Sequence, residues 1–569
     1  MYPNKKNILQ LVALMKQHEV NRVIISSGAR NLPIVQALVR SEYFICSTIV
    51  DERSAGFVAL GMSLKENKCS VALCCTSGSA ALNYAPAIAE AWHRNICLLV
   101  ITADRPEAWL GQGENQTIRQ QNIFGSFVKM SVTLPEVHTD EDEWYCNRLI
   151  NEAILETSHI KPGPVHINVP ISEPLLEFPV ETLPEVRVIQ RIPSWPGVDD
   201  TDGELEYLPR RYGYFDRPML ILGQGNYGAG PLMILDSVLA NLHSGGCVIL
   251  GEHLACNCDT KHVIRNFDTI LEVLPEEGWA NYAPDLLITV GGQLVSKTIK
   301  KFLRKHKPEM HWHVSPWGEL VDTYQSLTHA IQTSPGGFLW DLQAMSKAQP
   351  PREAMPYLSG WYRISKHIPP PAQDYSDLMA VGELMKAIAK PAVLHLANSS
   401  SVRLAHLFPL ADGVQVYANR GTSGIEGCLS TALGETYRYF TSSTTTYFVT
   451  GDLAFFTDMN ALWGFLNNHH CNLRILLNNN RGGGIFHCLP GFNQTDANEI
   501  AIAYHNISAK EWAIECGLIY LEVHNHDDLM NYMPAFTDKD IESCMLMEVF
   551  SARIENSIEL ENYYDAISL

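Results

Sequence analysis

The amino-acid sequence predicts an α/β protein made of three doubly wound parallel-sheet units. Two observations carry that prediction. Short apolar, β-prone runs alternate with helical stretches along the whole chain, a pattern that demands parallel strands joined by crossover helices. The chain is also 569 residues long, whereas a single domain usually takes about 100–200. Two proline-rich stretches, FPVETLPEVRVIQRIPSWPG (178–197) and KHIPPPAQDY (366–375), read as linkers, because proline lacks a backbone donor and favours extended chain. The expected units are therefore 1–188, 189–365 and 366–569.

Taken in order, the first unit supplies the strand runs NRVIISS, SVALCCTS, ICLLVITA and VHINV. The second supplies MLILGQG, CVILGEH and DLLITVGG, and the third AVLHLANSS, VQVYANRG, TTTYFVTGD, LRILLNNN and CMLMEVFS. No short-period repeat is present, although the three blocks share an architecture. In such sheets ligands gather outside the carboxyl ends of the strands, so the residues just after each run are the informative ones.

Composition narrows the classes of function. A hydrophobic fraction of 46 % with 18 % charged residues is that of a water-soluble globular chain, and no run reaches the roughly 18 apolar residues a membrane span needs. The start, MYPNKKNILQ, lacks a signal-peptide apolar core, so a cytoplasmic location is expected. A formal charge of −20 disfavours sequence-independent nucleic-acid binding, which depends on neutralising phosphates. The 14 cysteines are scattered and read as buried free thiols. Cys256 and Cys258 form a lone CxC without a second pair at zinc-ribbon spacing. His469 and His470 are adjacent, so they do not share a helix face as i, i+4 metal ligands do.

Two strand ends in the third unit stand out. VTGDLAFFTDMNALW ends one run at Asp452, and NLRILLNNNRGGGIF ends the next at an asparagine run 27–28 residues later. That interval holds one helix and a return to a neighbouring parallel strand about 4.8 Å away. A carboxylate and an amide oxygen then meet at one sheet edge, a hard-oxygen set suited to Mg²⁺. Gly451 lets backbone approach a diphosphate, and Gly482, Gly483 and Gly484 permit a turn offering a carbonyl. The plain alternative is that Asp452 caps a helix and the Asn/Gly run is a turn.

A GD followed by NN-x-G at this spacing resembles the diphosphate and metal signature of the thiamine-diphosphate enzymes, whose pyrimidine-binding, central and diphosphate-binding domains follow in the order of the three blocks. The family also places a glutamate after the second strand of its first domain, and here FICSTIVDERSAGFVALG supplies Glu52. Further words, among them SSGARNLP, TSGSAALNYAPAIAEA, TADRPE, GENQTIRQ, GGQLVSK, ANSSSVR and ANRGTSGIEG, are similar to the branch of that family acting in menaquinone (vitamin K2) biosynthesis. They run from about residue 20 to about residue 495. The resemblance implies a carboligase that decarboxylates 2-oxoglutarate on thiamine diphosphate and adds the remaining unit to isochorismate by 1,4-addition, releasing CO2.

The resemblance also implies roles. Glu52 engages ring nitrogen N1′ of the cofactor's aminopyrimidine, which promotes loss of the cofactor's C2 proton. Ser77, Gly78, Gly424, Ile425, Gly451, Asp452, Leu453, Ile485 and Phe486 contact the cofactor, with Ile425 as an apolar prop between its two rings. Mg²⁺, or Mn²⁺ in its place, is held by Asp452, Asn480 and Gly482, or alternatively by Asp452 with Asn479 and the Arg481 carbonyl. Both substrates are dicarboxylates, which guanidinium groups match with paired hydrogen bonds. Arg30, Arg105, Lys297, Arg403 and Arg420 are assigned to substrate carboxylates, with Gln116 and Ser399 as neutral partners. A homo-oligomer is implied, dimer or tetramer, with Glu52 and Asp452 of one site coming from different chains.

Departures from the family pattern are Ala29 in SSGAR, where serine is usual, Thr298 after Lys297, where a second basic residue is frequent, and Arg481 within NN-x-G. Two other readings compete: a different thiamine-diphosphate carboligase or decarboxylase of the acetolactate-synthase kind, and a non-catalytic cofactor-binding homologue. The second is disfavoured by the presence of both Glu52 and Asp452.

Overall fold

Runs of valine, isoleucine and leucine buried on both faces form three parallel sheets, as strands covered by crossover helices must. A computed structural model describes residues 1–65, 68–191, 212–226, 232–256, 261–346, 356–371, 374–388, 391–411, 413–437, 444–466, 471–488, 492, 496 and 498–567. Cys258, His469 and His470 lie outside the described residues, as do parts of both proline-rich stretches.

The first sheet holds β1 (Arg22–Ile25), β2 (Ile45–Thr48), β3 (Val71–Cys75), β4 (Leu98–Asp104), β5 (Ser131–Thr133) and β6 (Pro164–Pro170), in the order β2-β1-β3-β4-β6-β5. The middle units are β7 (Pro218–Leu222), β8 (Gly225–Asn226), β9 (Val248–Gly251), β10 (Ala255–Cys256), β11 (Leu286–Val290), β12 (Met310–Ser315) and β13 (His329–Gln332). Five of them make the second sheet, β13-β12-β11-β7-β9, and β8 pairs with β10. The third sheet holds β14 (Ala392–Leu396), β15 (Gln415–Tyr417), β16 (Thr445–Gly451), β17 (Leu473–Asn479), β18 (Ile519–Val523) and β19 (Met545–Phe550), in the order β15-β14-β16-β17-β19-β18. Each pair of neighbouring strands is parallel, for example Gly451 opposite Asn478.

One apolar core joins the first and third sheets. It includes Val58, Leu60 and Leu73 from the first and Leu429, Leu433, Phe448 and Phe455 from the third. The helices Glu52–Ser63 and Cys428–Thr436 cross there at a distance only glycine permits. A Cβ on Gly61 would lie 2.2 Å from the Thr431 carbonyl oxygen, and one on Gly434 would lie 2.1 Å from that of Val58. Asp458, fully buried, ties the crossing by accepting from the Ser54 hydroxyl of one helix (3.5 Å) and from the Ser430 N–H (2.7 Å) and hydroxyl (2.6 Å) of the other.

The second sheet has cores of its own, built on Leu220, Ile249, Ile288 and Trp312 on one face and Ile221, Leu287, Phe302 and Trp361 on the other. Trp361 belongs to the helix Pro356–His367, whose Tyr357 and Ile364 pack on the same face. Val180, Leu183, Val186 and Val188 close the first sheet's core. Among the described residues no helix is long and apolar enough to cross a membrane.

Candidate active site

The glutamate after β2 begins a helix because its neighbour caps it. Asp51 accepts from the N–H groups of Arg53 (3.0 Å) and Ser54 (3.2 Å), which frees the Glu52 carboxylate to project from the first turn, where the helix dipole favours negative charge. Glu52 receives the Asn83 amide at 3.4 Å, and a depression beside it is lined by Val50, Asp51, Arg53, Asn83, Asn460 and Trp463. Ser77 is buried after β3, and the Gly78 N–H donates to Gln120 Oε1 at 2.8 Å.

In the third sheet Asp452 follows directly on β16 and is buried. Its Oδ1 accepts from Leu453 N–H (2.6 Å) and its Oδ2 from Gly482 N–H (2.9 Å), with His505 Nε2 at 3.5 Å from Oδ2. Burial pushes its carboxyl up to about 6, because desolvation disfavours the charged form. A cation at this edge would offset that cost.

The three asparagines after Leu477 diverge because successive strand residues face opposite ways. Asn478 lies opposite Gly451, and Asn479, the last residue of β17, comes beside the turn where Asp452 opens its helix. Asn479 donates to Glu548 (2.6 Å) and the Ile507 carbonyl (2.9 Å), and its Oδ1 accepts from Arg481 N–H at 3.2 Å. Asn480 points the other way, donating to Asp377 at 2.7 Å while its buried Oδ1 has no partner. The Gly482 carbonyl accepts from Gly484 N–H at 2.9 Å. The Arg481 carbonyl takes the Arg553 guanidinium at 2.6 Å, so a positive group already sits against this edge. Ile485 and Phe486 are half-buried on the following 3-10 turn, with Phe486 stacked on Phe492 at 5.5 Å.

A second cluster forms after β14 and β15. Asn398 gathers it: its Nδ2 donates to the carbonyls of Asn419 (2.7 Å) and Gly424 (2.6 Å), and its Oδ1 accepts from Arg420 at 2.7 Å. The Arg420 Nε is buried without a partner, and burial lowers the pKa of that guanidinium, with the Arg403 charge acting in the same direction. Among the described residues the Arg403 side chain makes no hydrogen bond or ion pair. It stands one turn along the helix Ser400–Ala405 from Ser399, whose φ is 74°. Ile425, next to Gly424, packs against the shared core.

The remaining residues lie apart. Arg30 is buried, donating to the Ile171 carbonyl (3.0 Å) and pairing with Glu173 (3.0 Å). Arg105 pairs with Glu114 at 3.2 Å and Gln116 is exposed nearby. Lys297 is exposed at the start of the helix Thr298–Lys305. Among the described residues no hydrogen bond or ion pair joins Arg30, Arg105 or Gln116 to Arg403 or Arg420, nor Glu52 to Asp452.

Sequence reasoning missed several groups that hold these loops. Glu252, buried after β9, accepts from the N–H groups of Val295 and Ser296 (both 2.8 Å) just before Lys297, and its charge reaches Arg420 and Lys300. Glu548 braces Asn479 and also accepts from Tyr520 and Ser508 (both 2.7 Å). These carboxylates sit inside apolar or helical sequence, where only the three-dimensional partners disclose them.

A carboxylate at a helix start in the first sheet, and a buried aspartate–asparagine edge in the third, are the parts of a thiamine pyrophosphate enzyme. Residues 9–123 match the family model described as "Thiamine pyrophosphate enzyme, N-terminal TPP binding domain". The chain is 46 % identical over 566 residues to a 2-succinyl-5-enolpyruvyl-6-hydroxy-3-cyclohexene-1-carboxylate synthase of Bacteroides thetaiotaomicron, covering 99 % of each chain. It is 44 % identical over 569 residues to the synthase of that name from Phocaeicola vulgatus (100 % of this chain, 99 % of the relative) and 34 % identical over 583 residues to that from Porphyromonas gingivalis (100 % and 98 %). The chain belongs to this synthase family.

Proposed function

We propose that the protein is a thiamine-diphosphate-dependent transferase that makes 2-succinyl-5-enolpyruvyl-6-hydroxy-3-cyclohexene-1-carboxylate, the carbon–carbon bond-forming step between 2-oxoglutarate and isochorismate in menaquinone biosynthesis. The observation that carries this reading at the site is the pair Arg403 and Arg420. The Arg403 side chain is without hydrogen bonds among the described residues, and Arg420 keeps a buried Nε free. Two guanidinium groups left open beside Ser399 suit acidic substrates, whereas a site for pyruvate alone has less use for them.

Thiamine diphosphate supplies the electron sink for decarboxylation and carbon–carbon bond formation. The chain's own residues bind, orient and hold protons. Glu52 is positioned to hold a proton against the cofactor's ring nitrogen. Gly451, Asp452 and Leu453 would face the diphosphate, Ser77, Gly78, Gly424 and Ile425 its rings, and Ile485 and Phe486 the pocket wall. Arg30, Arg105 and Gln116 complete the substrate set from across a subunit boundary in a homo-oligomer, and Lys297 joins it from beside the Val295 and Ser296 amides that Glu252 holds near Arg420. That boundary is supported by the partners of Arg30 and Arg105, which lie within the first unit and not at the Arg420 loop.

For the cation, Mg²⁺ or Mn²⁺, the place of Asn479 at the end of β17 supports Asp452 with Asn479 and the Arg481 carbonyl rather than Asn480 and Gly482. Asn479 is the last residue of β17, beside the end of β16 that Asp452 follows, whereas Asn480 is turned to Asp377; the carbonyls of Gly482 and Arg481 are both engaged, by Gly484 and by Arg553. The unpartnered Asn480 oxygen is the observation on the other side. The division into pyrimidine-binding (1–188), central (189–365) and diphosphate-binding (366–569) domains is supported by the separate cores of the second sheet. A cytoplasmic location is supported by buried free thiols such as Cys74, Cys97 and Cys247.

The test is turnover. Purified protein with Mg²⁺ and thiamine diphosphate is expected to consume isochorismate in step with CO2 released from 2-oxoglutarate. Turnover of pyruvate with none of isochorismate would overturn the assignment.

A further inference from the structure

Glu90 stands in the helix Ala85–Arg94 of the first unit, and its side chain is fully buried. A buried carboxylate is costly unless donors surround it. Its donors come from the third unit: the Gly421 N–H at 2.9 Å, the Thr422 N–H at 2.6 Å and the Thr422 hydroxyl at 2.8 Å. Two successive amides converging on one anion form a small backbone nest. The loop lies so close that a Cβ on Gly421 would meet a Glu90 carboxylate oxygen at 2.9 Å and the Glu90 carbonyl oxygen at 3.0 Å.

This loop carries Arg420 on one side of the contact and Gly424 and Ile425 on the other. Its other anchors are neutral: Asn398 from the third unit, and Gln224 from the middle unit, which donates to the Ala418 carbonyl at 2.8 Å. Glu90 therefore contributes the loop's charged hydrogen bonds, from a different sheet, beside the charge of Glu252, which acts on Arg420 itself. Asp458 offers a contrast within the same interface. It too is a fully buried carboxylate, but its bonds go to Ser430, on the helix beyond the loop, and to the Ser54 hydroxyl of the first unit at 3.5 Å.

We propose that Glu90 is a positioning residue for the substrate arginine: it holds Gly421 and Thr422 so that the Arg420 guanidinium is aimed at a substrate carboxylate. The inference rests on the assignment of Arg420 to substrate made above. An amide at position 90 keeps the shape but turns a donor toward donors, and all three charge-assisted hydrogen bonds are lost or weakened.

The experiment is steady-state kinetics of the holoenzyme with both substrates, run on Glu90→Gln, Glu90→Asp, Thr422→Val, Asp458→Asn and Arg420→Ala, alongside cofactor titration and urea unfolding. Glu90→Gln is expected to raise the KM for one substrate by about tenfold, the scale of one lost hydrogen bond to a charged group, while cofactor affinity changes less. Thr422→Val, which removes one donor of the three, is expected to give a smaller rise in the same KM, and Glu90→Asp a partial return toward wild type. Asp458→Asn is expected to lower the urea midpoint without moving that KM. Equal losses in Glu90→Gln and Asp458→Asn, confined to stability, would overturn the proposal. Should Glu90→Gln fail to fold, an unchanged KM in Thr422→Val would overturn it instead. If Arg420→Ala leaves both KM values unchanged, the assignment of Arg420 fails; if it raises one and Glu90→Gln does not, the role given to Glu90 fails.

Discussion

In the first sheet the strands run β2-β1-β3-β4-β6-β5, and in the third β15-β14-β16-β17-β19-β18, the same order with each number raised by thirteen. Equivalent strand ends carry different chemistry. After β2 comes Glu52 and after β15 Arg420; after β3 come Ser77 and Gly78, and after β16 Asp452; after β4 comes Arg105, and after β17 the asparagines. After β1 stands Arg30, where β14 is followed by Ser399 and Arg403. One frame, used twice, thus carries a carboxylate at a helix start in one copy and, in the other, the buried aspartate and asparagines proposed above to hold the cation. The difference lies wholly in the few residues beyond each strand, as expected when function is grafted on a shared fold.

Mixing two inactive variants puts the greatest strain on that comparison. Glu52→Gln and Asp452→Ala are each expected to be nearly inactive alone. If each site draws on the first sheet of one chain and the third of another, unfolding and refolding them together restores up to about a quarter of wild-type activity, the share of intact sites in a randomly mixed two-fold oligomer. No recovery, with mixed oligomers demonstrated, would place both groups of a site in one chain.

The cation edge separates the two asparagine registers next. Asn479→Ala is expected to weaken Mg²⁺ affinity by about 10–100-fold, the usual cost of disturbing a metal site's ligands or their supports, measured by calorimetry in the presence of thiamine diphosphate. Asn480→Ala is expected to do less; the reverse order would return the register to Asn480 and Gly482.

The contact between the two copies is tested by Gly434→Val. With the Cβ site 2.1 Å from the Val58 carbonyl oxygen, the helices must separate, and a loss of about 1–3 kcal/mol in urea unfolding is expected from overpacking. An unchanged midpoint would mean the crossing is looser than described.

The smallest effect is on pH dependence. Burial raises the Asp458 carboxyl to about 6 from 3.8, so in this range the folded state binds more protons than the unfolded. The stability this group contributes is present below the unfolded value and is lost as pH rises through about 6. Between pH 4.5 and 7 that is roughly 2 kcal/mol, at 1.36 kcal/mol per pKa unit. Asp458→Asn is therefore expected to cost less at pH 7 than at pH 4.5. An equal cost at both would contradict the raised value.

Much of this frame was legible in the sequence. Parallel strands covered on both sides are continuous apolar runs, so SVALCCTS, ICLLVITA and LRILLNNN announce themselves, and the residues ending them are the candidate ligands. The asparagine register was not legible, because it depends on which residue of β16 lies opposite Asn478. Nor were Glu90, Asp458 and Glu548, each an acid in an otherwise ordinary helix or strand, nor the partners of Glu252, which follows β9. Glu90 and Gly421 are 331 positions apart, and no local pattern connects them. The last 70 residues carry few recognisable words, yet they supply β19, Glu548 beneath Asn479 and Arg553 against the Arg481 carbonyl.

The division of labour between the two sheets is tested most directly by titrating thiamine diphosphate with Mg²⁺ into Glu52→Gln and Asp452→Ala and following binding calorimetrically beside turnover. The account predicts that Glu52→Gln binds the cofactor within a few-fold of wild type yet turns over at least about a hundredfold more slowly, the scale of a lost proton-transfer group, while Asp452→Ala fails to bind. Loss of binding in both variants, or retained binding in Asp452→Ala, would contradict it.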